Sequence, residues 1–246
     1  MGRIAVISDI HGNRWALEAV LEDIDREGTD KIVNLGDAVY GPLDPAGTAD
    51  IIINRGIPTV RGNEDRLITD GGDEFSGTLA FVRDRLQEDH LEWLRSMRPS
   101  LTMGQISAFH GSPDSDTEYL LREVGPAGAC PRIPEEVGAA VRGIGSSLIL
   151  CGHDHVPGNM LISGGRTVVN PGSVGLQAFL DDVPYPHMME TGTPHARYSM
   201  VSRRGQGWTV TDRAVLYDWK AAAEEAWRNG RPDWAAWILT GRAENR

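Results

Sequence analysis

The chain opens on "RIAVIS" at 3–8, a short β-rich run with an apolar centre, which predicts a strand buried on both faces of a sheet. Asn13 can cap the helix that follows, where Leu17, Val20, Leu21 and Ile24 recur at helical spacing until Gly28 ends it. "KIVNLGD" at 31–37 predicts a second strand, "GTADIIINRG" at 47–56 a second helix closed by Gly56, and "IPTVRGN" at 57–63 a third strand. Strand, helix, strand, helix, strand over ~60 residues is the βαβ rhythm of an α/β sheet.

Beyond it the periodicity turns helical. "TLAFVRDRLQ" and "EDHLEWLRSM" predict two helices, the second stopped by Pro99, and "LTMGQISAFHGSP" predicts a hairpin turning at Gly104. Residues 114–134 are rich in proline and glycine and predict a surface excursion; "PEEVGAAVRGIG" predicts a helix with Pro134 in its first turn. "SLILC" and "RTVVNPGSVG" supply two more strands. Residues 180–196 predict a long loop of the kind that often acts as a lid or binding loop. "RYSMVSRRGQGWTVTDRAVLYD" alternates like two closing strands, and the tail from 219 is helical, broken at "NGRP". Trp227 and Trp234 are seven apart and are expected on one helical face, which either docks on the domain or forms a homo-oligomer interface. No internal repeat, low-complexity tract or linker interrupts this order. Residues 1–246 read as one domain, with 219–246 as its helical tail.

Composition narrows the function more than the fold. Apolar residues make up 40% and charged residues 24%, as in an ordinary soluble protein. The net charge is −11, from 24 Lys+Arg against 35 Asp+Glu, and there is no basic stretch. Such a chain has no general attraction for nucleic acid or anionic lipid, so neither is expected as a partner. An anionic substrate would need local positive charge, which bound metal ions can supply. Two cysteines, Cys130 and Cys151, are too few for a disulfide framework and read as buried free thiols. The N-terminus does not read as a signal peptide, and no apolar run approaches the ~18 residues of a membrane span. A cytoplasmic protein is expected.

The candidate chemistry lies just past the apolar runs. The first strand leads to "SDIHGN" with Asp9 and His11, the second to "GDAVYGP" with Asp37, and the third to "RGNEDR" with Asn63, Glu64 and Asp65. Later runs end on "FHGSP" with His110 and "CGHDHVP" with His153 and His155. Ligands of open α/β sheets bind outside the carboxyl ends of the strands. Five elements thus deliver Asp, His or Asn to one rim, and glycines beside them allow sharp turns. An extended backbone would point His153 and His155 to one side, with Asp154 turned away. Four imidazoles, two carboxylates and an amide exceed the four ligands of a tetrahedral zinc site. They suit a two-metal centre with one carboxylate shared between the ions.

The ordered series "DIH", "GD", "GNED", "FHG", "GHDH" resembles the calcineurin-like metallophosphoesterases, and "NPGSVG" at 170–175 is similar to their small bacterial and archaeal branch. The resemblance implies a four-layer α/β/β/α sandwich of two facing mixed sheets flanked by helices. It implies one ion held by Asp9, His11, Asp37 and His155, and another by Asp37, Asn63, His110 and His153. It further implies hydrolysis of a phosphodiester or phosphomonoester bond by a hydroxide bridging two divalent metals. Mixed N/O ligation suits Mn²⁺, taken first, or Fe, Zn²⁺, Ni²⁺ or Co²⁺, rather than Ca²⁺. The substrate class is a small-molecule or nucleotide phosphate ester, with the diester favoured. The rival reading is a catalytically weak or inactive binding module, since the small retromer subunit resembles this branch and serves as an assembly scaffold.

One position departs from the pattern. Many members have histidine where this chain has Glu64. Three readings stay open: Glu64 donates the proton instead, Glu64 points away and metal activation suffices, or the protein is not a working enzyme. The second is carried forward and predicts less than about a tenfold effect of Glu64→Gln. Asp65 resembles a residue that supports a metal-ligating histidine. Asp37, Asn63, Glu64 and Asp65 are therefore the catalytic candidates. Arg61, Arg66 and Tyr40 are the candidates for substrate contact, Tyr40 as a surface for a base or aromatic leaving group.

Overall fold

The computed structural model describes residues 2–71 and 77–243. Residues 1, 72–76 and 244–246 lie outside it, and with them the last three residues of the expected tail.

Two mixed sheets face each other. In the first, β1 (Arg3–Ile7) runs parallel to β2 (Lys31–Asn34) and antiparallel to a later strand at Ala196–Arg204. That strand pairs in turn with Gly207–Val215. The second contains β3 (Ser100–Met103), β4 (Ile106–Phe109), β7 (Leu148–Leu150), β8 (Gly158–Ile162) and β9 (Arg166–Asn170), in the order β3-β4-β7-β9-β8. Here β4, β7 and β9 are parallel, and the two edges are antiparallel.

Side-chain alternation explains how β1 serves two cores at once. Ile4 and Val6 face the second sheet and pack with Val33, Ile106, Ala108, Leu148, Leu150 and Val169. Ala5 and Ile7 face the helices and pack with Leu17, Val20, Leu21 and Ile24 of α1 (Arg14–Glu27). The same helical layer holds α2 (Pro45–Asn54), α3 (Asn63–Asp70), α4 (Gly77–Arg85) and α5 (Glu88–Ser96). On the other outer face, Val137 and Val141, in and just after α6 (Pro134–Ala140), pack on Ile149 and Val168. The four layers are those that the resemblance implies.

Several elements differ from the sequence reading. Segment 57–63 makes only single bridges, Thr59 to Asn34 and Val60 to Arg98, because Pro58 brings no N–H and helix α3 begins at Asn63. The excursion at 114–134 contains a hairpin of β5 (Arg122–Gly125) and β6 (Gly128–Pro131). The expected loop at 180–196 is largely a second hairpin, β10 (Ala178–Asp181) with β11 (His187–Glu190). Cys151 is buried as expected, but Cys130 is exposed. The tail forms α7 (Trp219–Arg228) and α8 (Pro232–Thr240), so Trp227 and Trp234 belong to different helices. Trp234 is 4% exposed among Leu43, Leu176, Ala222 and Ile238, whereas Trp227 is 66% exposed. Among the described residues, no helix is long and apolar enough to cross a membrane.

Candidate metal centre

The loops leaving β1, β2, β4 and β7 meet at one end of the facing sheets. They are laced by their backbones: Asp9 N–H donates to Gly36 O at 3.0 Å, and Ile10 and His11 N–H both donate to Asp37 O at 2.9 and 3.0 Å. The glycines before Asp37 and Asn63 allow this approach. A Cβ on Gly36 would lie 2.7 Å from Gly62 N, and one on Gly62 would lie 2.0 Å from Asp37 Oδ1.

The backbone conformation at the rim is unusual. Among the described residues, the non-glycine residues with positive φ are Asp9, His11, Asp37, His153 and His155, at 50–70°. A left-handed conformation costs such residues on the order of 1 kcal/mol each. All five are candidate ligands. His153 and His155 therefore do not share a face through an extended backbone, as alternation predicted. Each sits in a left-handed turn, and that turn brings both rings to the centre. Asp154 does turn away: its Oδ1 accepts from Asn170 Nδ2 at 2.8 Å and from Val156 N–H at 2.8 Å.

The side chains converge in three groups whose ligand atoms lie within 4.8 Å of one another. These are Asp9, His11 and His155; Asp37, His110 and His153; and His11, Asp37 and Glu64. Asn63 joins the second through Oδ1, 2.9 Å from His110 Nε2. Asp37 and His11 each belong to two groups, so the third group links the other two.

Three imidazoles are oriented alike. The Nδ1 atoms of His11, His110 and His155 lie 3.0, 2.9 and 2.7 Å from the carbonyl oxygens of Tyr40, Leu35 and Leu176. A carbonyl only accepts, so each Nδ1 carries the hydrogen and each Nε2 turns inward. His11 Nε2 and His155 Nε2 are 3.0 Å apart. Two buried carboxylate oxygens lie against these rings: Asp9 Oδ1 is 3.4 Å from His155 Nε2, and Glu64 Oε2 is 3.0 Å from His11 Nδ1. Inward Nε2 atoms and carboxylate oxygens in one buried cluster are a donor set that fits divalent cations.

In the metal-free chain, protons hold these charges together. Burial alone would lower His11, but Glu64, Asp37 and Asp9 outweigh it and raise it to about 9. His110, also opposed by burial, is raised to about 10, chiefly by Asp37. Burial and the charge on His110 lower His153 to about 4. Asp37 is held below the usual carboxylate range: burial opposes this, but His110 and His11 prevail. Burial raises Glu64 to about 7 despite His11.

Glu64 does not point away. Its side chain is 23% exposed, lines the cleft over the centre, and brings Oε2 to 3.0 Å from His11 Nδ1. Asp65 supports the backbone rather than an imidazole. Its buried carboxylate accepts from Asp37 N–H at 2.8 Å, Ala38 N–H at 3.0 Å and Gly62 N–H at 3.0 Å. Tyr40 lines the cleft. Arg61 and Arg66 line neither of the two clefts that meet at the centre, and Arg66 makes a bidentate pair with Asp116 at 2.7 and 3.0 Å.

Residues 3–189 match the calcineurin-like phosphoesterase superfamily domain. The chain belongs to that superfamily. It is 28% identical to an uncharacterized protein of Methanocaldococcus jannaschii, over 94% of each chain. It is 26% identical to a metallophosphoesterase from Sphaerobacter thermophilus, whose structure matches with a TM-score of 0.75 over 98% of this chain and 99% of that one. A hypothetical protein from Pyrococcus horikoshii OT3, 21% identical, shares the fold with a TM-score of 0.77 over the same shares.

Two clefts open from the centre. One, of about 330 Å³, is lined by Tyr40, Phe179, Arg231, Trp234 and Trp237 beside the ligands. The other, of about 660 Å³, is lined by Tyr119, Arg122 and Arg132. Asn63, His153 and Asp181 line both. Sequence reasoning missed Arg231, Arg122 and Arg132 as cleft residues. Their one signal was proximity to aromatic or proline-rich segments, which does not fix direction.

Proposed function

We propose that this protein is a dinuclear metal-dependent phosphoesterase acting on phosphodiesters. The carrying observation is the inward convergence of the His11, His110 and His155 Nε2 atoms with the buried carboxylates of Asp9, Asp37 and Glu64. Asp9, His11, Asp37 and His155 would hold one ion, and Asp37, Asn63, His110 and His153 the other, with Mn²⁺ first among the candidates. Two such cations supply Lewis-acid polarisation of a phosphoryl oxygen and activate water at neutral pH.

The chain's own residues position everything else. Carbonyl locks on Nδ1 fix the ring planes of three histidines, so little ordering remains at the moment of binding. Asp65 clamps the backbone of Asp37, and Glu64 N–H donates to Asp37 Oδ1 at 3.0 Å. Tyr119 and Phe179 pack against His153 and His155, with ring centroids 4.9 and 4.5 Å apart, and exclude water from one side of each ring. The two clefts favour a diester, because its phosphorus carries a substituent in each direction. The tail packs into the same core as the cleft wall, which supports reading residues 1–246 as one domain.

The test is hydrolysis of bis(p-nitrophenyl) phosphate by metal-stripped protein titrated with Mn²⁺, beside Asn63→Ala. Turnover is expected to rise with metal and to vanish in the variant. Two bound ions without turnover of any phosphate ester would leave a binding module in place of the enzyme.

A further inference from the structure

We propose that α8 forms a subsite for the base of a nucleoside phosphate ester, a reading that rests on the phosphoesterase assignment above. The tail helix lies beyond residues 3–189 that match the superfamily domain, yet it supplies one wall of the smaller cleft. That wall begins where the ligand rings end. Trp234 meets His11 edge-on with ring centroids 5.7 Å apart, and Phe179, packed against the same apolar cluster, meets His155 edge-on at 4.5 Å. A phosphate held at the centre therefore sends one substituent directly onto aromatic surface.

The chemistry of the rim selects a base over a plain aryl or alkyl group. Asp181 offers acceptors only, and Arg231 offers donors only. Arg231 is fixed in place by Asp233 at 2.6 Å and by Thr78, which leaves one N–H on each of Nη1 and Nη2, and it lies 5.3 Å from the Trp234 ring. Stacking faces combined with one acceptor and one donor at the edge match a ring whose rim carries both kinds of group. The volume, about 330 Å³, spans the centre as well as the aromatic wall and lies near the lower end of the ~300–1,000 Å³ of small-ligand pockets. Trp234 is buried in the apolar cluster and acts as backing, whereas Trp237 is only partly buried and presents surface to the cleft. A ring that served the core alone would not discriminate between ligands.

The experiment uses full-length Mn²⁺-loaded protein and calorimetric titration with a non-hydrolysable adenosine 5′-phosphonate and the matching ribose 5-phosphonate. Base–aromatic stacking predicts at least about tenfold tighter binding of the adenosine compound. Trp237→Ala is expected to collapse that ratio towards one, and Trp237→Phe to keep most of it. If Trp237→Ala does not fold, Phe179→Ala, at the neighbouring lining position, reads the same ratio. Equal binding of the two compounds by the wild type, or equal weakening of both in the folded variants, overturns the subsite. Hydrolysis of bis(p-nitrophenyl) phosphate separates the two ideas. Turnover without base preference removes the subsite and keeps the enzyme; base preference without turnover keeps the subsite and removes the enzyme.

Discussion

Gly62→Ala isolates what the close approach of two ligand loops is worth. Gly62 has φ −83° and ψ 171°, a conformation alanine adopts freely, so backbone strain plays no part. The added Cβ would lie 2.0 Å from Asp37 Oδ1 and 2.6 Å from Asp37 N, where real Cβ contacts essentially never fall under 3.0 Å. The carboxylate must retreat by about 1 Å and the Asp37 backbone with it; a 1 Å misplacement costs a positioned site about 10²-fold in rate, and a loss of that order is the expectation for metal binding too. Overpacking of this kind also destabilises by about 1–3 kcal/mol. Gly56→Ala is the control. Its φ is +59° and nothing lies within 4 Å, so it costs a similar ~1–2 kcal/mol through backbone strain alone. Thermal unfolding should therefore show comparable losses for the two variants. Calorimetric titration of Mn²⁺ into the stripped proteins should show weakened binding, by about 10²-fold, only for Gly62→Ala. Wild-type affinity for two ions in Gly62→Ala would refute the placement of Asp37 between the ions.

Other expectations follow from the same geometry. Metal binding near pH 7.5 should release about two protons, from His11 and His110, because ions replace protons on groups raised to about 9 and about 10. Metal affinity should accordingly rise with pH up to those values and then level off; calorimetry in buffers of different ionisation heat measures this, and zero release would contradict it. Glu64→Gln should lower turnover or metal affinity more than tenfold, since the carboxylate faces His11 and Asp37; steady-state kinetics showing a smaller effect would restore the loop-only role. Asn170→Ala removes bonds to Gly152 O, Asp154 Oδ1 and Gly172 N–H at 2.8–2.9 Å in a buried site, and should cost about 3 kcal/mol. A urea midpoint shifted by less than about 1 kcal/mol equivalent would show that this clamp does not hold the His153–His155 turn.

Much of the layer order was legible because β1, α1, β2 and α2 carry strong periodicity and proper caps. Asn13 accepts from Ala16 N–H at 3.1 Å, and Gly28 closes its helix as read. The candidate ligand positions stood out because each follows an apolar run. What escaped was set by contacts distant in sequence or by short elements. Helix α3 was hidden behind a turn-like "GN", and it starts there because Asp65 reaches back to Gly62 N–H. The hairpin β10–β11 joins through "DVPYP", which reads as loop, and each strand has four residues. Arg66 read as a phosphate contact until Asp116, fifty positions away, claimed it. The direction of Glu64 depends on His11, and the place of Trp237 in the cleft depends on how α8 packs. Neither follows from local pattern.

The positive-φ ligands carry a consequence for anyone wishing to stabilise this protein. A sequence optimised for backbone comfort would write glycine at positions 9, 11, 37, 153 and 155, since glycine takes that conformation freely. Each such change would relieve strain and delete a donor. If the proposed metal shell forms, selection for thermal tolerance and selection for metal binding pull in opposite directions at the same five residues. Room for improvement lies elsewhere, at Gly143 and Gly145, where an added methyl meets nothing within 4 Å and φ is not left-handed. Alanine there would stiffen the unfolded chain by about 0.4–1 kcal/mol each and leave the donors alone.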